Sequence, residues 1–277
     1  MNITAGFRRA FDRHRDERAE ELFEIAHLLV DANLTPDAEP IRQAAAQCRS
    51  AIKTAGQGQP DAGRKYWGYD IAELQINLEE QRHLRPRSAI ASGMSGMLTM
   101  TVQEYLPDSE GQIGNSYALL RQFNIDFYVD GVQVIDNVDH PLRAAWHLDT
   151  HLYAETVTHA VHPRFHFQFG GERLAAIDQQ IRGVLMPEAP RIPCAPLDAI
   201  LAVDFVLAQY CGERWNLLRD LEPRYTRLRK NPMKRYWSPY FRTLADCIDN
   251  LDHVPGGGDA RNLVPNIFVA EDRHAAH

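Results

Sequence analysis

Apolar and polar residues alternate with period two in three runs near the middle of the chain, and successive side chains of a strand point to opposite faces. From Asn124 to Asp130, Ile125, Phe127 and Val129 fall on one side and Asp126, Tyr128 and Asp130 on the other. Over 146–152, Trp146, Leu148, Thr150 and Leu152 oppose His147, Asp149 and His151. From Arg164 to Phe169, Phe165, Phe167 and Phe169 oppose Arg164, His166 and Gln168. Leu98, Met100 and Val102, alternating with Thr99, Thr101 and Gln103, mark a strand upstream. A hairpin about Asp130-Gly131, with a return run over 132–138, is expected from that turn-forming dipeptide. Strands of this kind, if neighbours in a meander, bring carboxylates, imidazoles and an arginine onto one surface.

Helical spacing dominates the two ends. Phe7, Phe11, Leu22, Ile25, Ala26 and Leu29 predict an amphipathic helix over 5–32. Thr35-Pro36 reads as an N-cap with proline at the first helical position, opening a second helix that runs to about Gly56. The segment Gly56 to Gly63 is rich in glycine and reads as a flexible joint. It separates a helical hairpin, residues 1–57, from an α+β core domain, 64–277, that includes the basic C-terminal helices. The pattern is compatible with the hairpin packing on that body or meeting a partner. Pro187, Pro190, Pro193 and Pro196 form an extended link, after which 196–210 is apolar on most sides, as a buried helix is. Residues 213–251 predict two further helices broken at Asn231-Pro232. The expected fold is therefore α+β: an N-terminal helical hairpin, a central antiparallel β-meander, and C-terminal helices packed on one face.

Composition narrows the setting. The four cysteines form no CxxC pair, which fits a reducing compartment and disfavours a cysteine-based zinc site. No apolar run approaches the roughly 18 residues of a membrane span, and the N-terminus lacks the apolar core of a signal peptide. A cytoplasmic location with no membrane partner is expected. The net charge of −7 hides an asymmetry: the segment from Glu213 to Arg242 carries +6, and the remainder −13. Arg229, Lys230, Lys234 and Arg235 lie in an aromatic-basic run that can grip phosphates or stack bases. The plainer reading is a solvated helical face whose arginines pair with the acidic remainder.

Five histidines lie between Trp146 and Gly171. His147 and His151 are too far apart along one strand, about 13 Å, to share a metal ion. His147-Asp149 or Asp149-His151 joined by His166 remains a possible ligand set. Without metal, two histidines can act as base and acid, driving a ribose 2′-hydroxyl onto the adjacent phosphate while an arginine steadies the charge. His162 and His166 are the acid/base candidates, Asp149 an orienting carboxylate, and Arg164 the phosphate contact; His147, His151 and Gln168 extend the binding surface. The alternative is a polar sheet face exposed to water. Phosphate-loop, dinucleotide, zincin and serine-hydrolase motifs are absent.

The stretch from His162 to Gly170, an HPxxHxxxG pattern following Asp149 and followed by a proline-rich link and an apolar helix, resembles a bacterial family of unknown function found near defence genes. It is also similar to small toxins of toxin-antitoxin systems, some of them ribonucleases. The matching positions are Asp149, His162, Pro163, His166 and Gly170; Gln168 stands where a further histidine would strengthen the nuclease pattern. The resemblance implies a defence- or toxin-like protein, with RNA as substrate and an antitoxin or another defence protein as partner. The leading expectation is a metal-independent ribonuclease or phosphodiesterase with no cofactor. A non-catalytic subunit of a multi-protein assembly comes second, and a metal-dependent hydrolase third.

Overall fold

The computed structural model describes residues 5–59, 61–78, 92–150, 165–170 and 192–249. Seven strands form one sheet in sequence order, each antiparallel to its neighbour: β1 (Lys53–Thr54), β2 (Lys65–Ile76), β3 (Ser92–Tyr105), β4 (Leu120–Ile135), β5 (Val138–Thr150), β6 (Phe165–Phe169) and β7 (Ile192–Pro193). Alternation limits the meander to registers that keep the apolar side chains on one face, because a slip of one residue would turn a whole strand over. Ile71, Met100, Ile125, Leu148 and Phe167 pair in turn across five strands. Shifted by one residue, Asp70, Thr101, Asn124, Asp149 and His166 pair in the same way and face the opposite side.

The helices are α1 (Ala5–Asp31), α2 (Glu39–Cys48), the single turn α3 (Ser116–Leu119), α4 (Ala199–Tyr210), α5 (Gly212–Leu221), α6 (Pro223–Pro232) and α7 (Ser238–Asp249). A π-helical turn, Met233–Trp237, joins the last two. Phe11, Leu22, Ile25 and Leu29 of α1 and Ile41, Ala44 and Ala45 of α2 share one buried core with the apolar sheet face, so the N-terminal hairpin packs on the body. Leu218, Tyr225, Leu228 and Tyr240 bring the C-terminal helices into the same core. The architecture is α+β. Among the described residues no helix is long and apolar enough to cross a membrane.

Asp198 caps α4, its carboxylate accepting from the backbone N–H groups of Ile200 and Leu201 at 3.1 and 3.0 Å. The helix starts at Ala199, three residues later than the proline pattern predicts. Likewise α2 begins at Glu39 and ends at Cys48, not at Thr35-Pro36 and Gly56. Thr35 is buried, and its hydroxyl donates to the Gln75 carbonyl of β2, which ties the interhelical loop to the sheet. The glycine-rich segment at 56–63 joins β1 to β2 and is anchored: Asp61 accepts from Arg121 Nε at 2.6 Å and Tyr105 Oη at 2.9 Å. Asn231-Pro232 does not interrupt the helical path, which continues through the π-turn into α7.

The expected hairpin at Asp130-Gly131 is displaced. β4 runs on to Ile135, and the chain reverses at Asp136 and Asn137, with φ of 51° and 62°. Two consecutive left-handed residues suit the type I′ turn, whose twist matches the strands, and Asp and Asn tolerate that region best after glycine. Asn137→Val is expected to cost about 1–2 kcal/mol in urea denaturation, whereas Asn137→Gly should be neutral or stabilising. Equal stability of the valine variant and the wild type would show that the turn is not held left-handed.

Candidate functional site

The polar face of the sheet is built from two ladder rows. One runs Asp70, Thr101, Asn124, Asp149, His166; the other runs Thr99, Asp126, His147, Gln168. The i, i+2 spacing of His147 and Asp149 puts both on this face of β5, and the β5–β6 register sets His166 directly across from Asp149. Asp149 thus sits between two imidazoles. His166 Nε2 is 2.9 Å from Asp149 Oδ1, and His147 Nε2 is 3.8 Å from Asp149 Oδ2. One nitrogen from each ring and one carboxylate oxygen all lie within 4.8 Å of one another, close enough to hold a metal ion together.

Burial grades the three. His166 is 1% exposed, whereas the side chains of His147 and Asp149 are 17% and 23% exposed. The cluster therefore opens on the His147–Asp149 side. Gln168, opposite His147 on β6, is buried. Asn124 Oδ1 and Thr99 Oγ1 are buried without a hydrogen-bond partner among the described residues. Cys194, next to β7, is pushed up to about 12 by burial and by the Asp149 charge, so it stays a thiol and not a nucleophile. Asp149, His147, His166 and Gln168 are thus brought together as the alternation implies. His151, His162 and Arg164 lie outside the described residues.

The basic run is mostly committed to internal pairs. Arg229 Nε lies 2.9 Å from Asp204 Oδ2, and Arg235 reaches Glu21 through two hydrogen bonds of 2.8 and 2.7 Å. Arg227 pairs with Glu24 of α1. Lys230 and Lys234 are exposed. The plainer reading, arginines paired with the acidic remainder, describes these arginines.

A second constellation escapes sequence reading altogether. His14, Arg18 and Glu21 share one face of α1 at i, i+4 and i+7, and they meet Glu104 from the end of β3, the Asp198 cap and Arg235. All but Arg235 are under a tenth exposed. Arg18 donates to Ser116 Oγ at 2.5 Å and lies 3.5–3.8 Å from Glu104, Glu21 and Asp198, while Tyr236 donates to Glu104. Beside it a cleft of about 470 Å³ opens between α1 and α6, lined by His14, Glu21, Asn231, Lys234 and Arg235 among others. No local signal marks these residues, because an acid on an otherwise ordinary helix pattern does not announce a partner some two hundred positions away.

Three carboxylates facing two guanidiniums leave one negative charge, which a buried site relieves by keeping a proton. Burial pushes Glu21 up to about 7 and Asp198 up to about 6, each against the pull of Arg18, so Glu21 holds the proton to the higher pH. Burial would raise Glu104 too, but His14, Arg18 and Tyr236 hold it below its usual range. A carboxyl raised in the folded state binds its proton more tightly than in the unfolded chain. Its contribution is therefore full below about 4.5 and is lost as pH rises to about 7. Thermal midpoints are expected to fall over that window in the wild type and to stay flatter in Glu21→Gln. Parallel pH curves for the two proteins would remove Glu21 as the proton's seat.

An antiparallel meander with helices on its apolar face and a His–Asp–His cluster on the other is the class of structure this chain defines. Neither a protein-family model, nor a curated protein, nor a solved structure matches it. Function has to be read from the two clusters themselves.

Proposed function

We propose that the protein is a phosphodiesterase of the ribonuclease type, acting at the His147–Asp149–His166 cluster. The observation that carries this reading is a carboxylate flanked by two imidazoles on the polar sheet face, with His147 and Asp149 partly exposed. A histidine titrates near neutrality, so a neutral imidazole can take the 2′-hydroxyl proton while a protonated one supplies the proton to the departing 5′-oxygen. The 2′-oxygen then bonds to phosphorus as the 5′-oxygen bond breaks, leaving a 2′,3′-cyclic phosphate. His147, the more exposed ring, faces solvent, and His162 is the second proton carrier indicated by the sequence. His166, the other acid/base candidate of the sequence, is buried behind Asp149, and in this reading it acts instead as a positioning residue. Arg164 would meet the phosphate.

The resemblance noted above supplies the setting: a cytoplasmic, defence- or toxin-like protein whose partner is an antitoxin or another defence protein. Cys48, Cys194 and Cys211 are thiols outside any disulfide, which suits that compartment. A docking role, the alternative, would draw on exposed Lys230 and Lys234 and on Leu217 and Phe241 of the C-terminal helices. The hairpin offers less, since its apolar side is spent in the core. The deciding experiment incubates purified protein with end-labelled RNA. Fragments ending in cyclic phosphate, lost in His147→Ala, are expected. Intact RNA with wild-type protein, alone and with its co-purifying partner, would leave the docking role.

A further inference from the structure

We infer that His147, Asp149 and His166 form a site for one divalent transition-metal ion, of the kind zinc, cobalt or nickel provide. The inference rests on geometry and goes beyond the acid–base reading of the same residues. Around an ion with bonds of roughly 2.1 Å, tetrahedral donor atoms stand about 3.4 Å apart. His166 Nε2 stands 2.9 Å from Asp149 Oδ1 and His147 Nε2 3.8 Å from the other oxygen, Oδ2, and with one oxygen taken as the donor the three ligand atoms lie within 4.8 Å of one another. Two imidazoles with one carboxylate suit borderline-soft ions, whereas magnesium and calcium favour oxygen sets.

The surroundings are those of a supported ligand set. The donors come from two adjacent hydrogen-bonded strands, so their backbone positions are held by the ladder and not by a loop. His166 is buried, which fixes its ring, while His147 and Asp149 leave an open side for water at a fourth position. Asp126 and Gln168 flank His147 in the ladder, where groups that orient a ligating imidazole are needed. Asn124, directly across from Asp149 on β4, has a buried side-chain oxygen without a hydrogen-bond partner among the described residues, and a metal-bound water is one species able to satisfy it.

Occupation has a consequence for the proposed reaction. A metal on His147 occupies the nitrogen that would carry a proton, so the loaded protein is the inactive form and chelation restores it.

The test titrates chelator-stripped full-length protein with Zn²⁺ by calorimetry and with Co²⁺ by visible absorption. One ion per chain is expected, with a tetrahedral cobalt spectrum and no displacement by excess Mg²⁺. His147→Ala, at a partly exposed position, should weaken binding by more than the roughly 10–100-fold that loss of a supporting group costs. Asp149→Asn should do the same. Circular dichroism confirms that each variant is folded. Absence of stoichiometric binding, or folded variants that bind as the wild type does, overturns the site. RNA cleavage is followed separately. Zinc binding with no cleavage under any condition keeps the metal site and removes the phosphodiesterase, and zinc-stimulated cleavage keeps the site and replaces the acid–base mechanism.

Discussion

Replacing Arg18 by methionine is expected to destabilise the protein by about 3–5 kcal/mol, the cost of removing one partner from a buried ion-pair network. Arg18 is 4% exposed and lies 3.5–3.8 Å from all three carboxylates, Glu21, Glu104 and Asp198, whereas Arg235 reaches Glu21 and Asp198. Burial alone would make its charged form harder to keep, but Tyr236 and those carboxylates more than offset it. Its guanidinium also lies over the Tyr236 ring, 5.5 Å from the centroid. Methionine keeps the stem and the packing but leaves Glu21 and Asp198 with Arg235, and Glu104 with His14. For a chain of this size the loss corresponds to a drop in thermal midpoint on the order of 10 °C. The partners are coupled, so Arg18→Met combined with Glu104→Gln should lose less than the two single changes added together. A loss below 1 kcal/mol in Arg18→Met, or strict additivity in the double variant, would show that the network does not act as a unit.

The second large effect concerns Asp149. Asp149→Asn is expected to lower RNA cleavage by about 10²–10⁴-fold, the range general acid–base catalysis contributes. The carboxylate lies 2.9 Å from His166 Nε2 and 3.8 Å from His147 Nε2, and it accepts where an amide nitrogen can only donate. An asparagine offers one oxygen and one NH₂, so at most one ring keeps its acceptor. The position is partly exposed, and the change is nearly isosteric, so stability should move by less than about 1 kcal/mol. A folded Asp149→Asn protein with undiminished cleavage would place the chemistry elsewhere, the α1–α6 cleft being the next place to look.

The two clusters differ in how far they could be read before any coordinates. Alternation alone puts His147 and Asp149 on one side of a strand, and it puts His166 and Gln168 on the outward side of the next. It does not say which residue of β6 stands across from Asp149. That depends on the β5–β6 register, which packing of Phe167 against Leu148 and Trp146, and of Phe165 against Phe123 and Tyr240, selects. The hairpin shows the reverse case: Asp136-Asn137 was as visible as Asp130-Gly131, but the latter carries the glycine that local turn rules favour. Continuing β4 to Ile135 pairs more residues with β5, and that gain outweighs the local preference.

The chain by itself determined the α+β class, the long N-terminal helix, the apolar helix after the proline-rich link and the existence of a polar sheet face. These follow from periodicity, which is a property of neighbouring residues. Only the tertiary structure decided that Arg18 would be surrounded by Glu21, Glu104 and Asp198, that the basic C-terminal arginines would pair inward, and that three donors would converge on one point. Such arrangements depend on which distant segments meet, and a buried charge is recognisable only by the partners that compensate it.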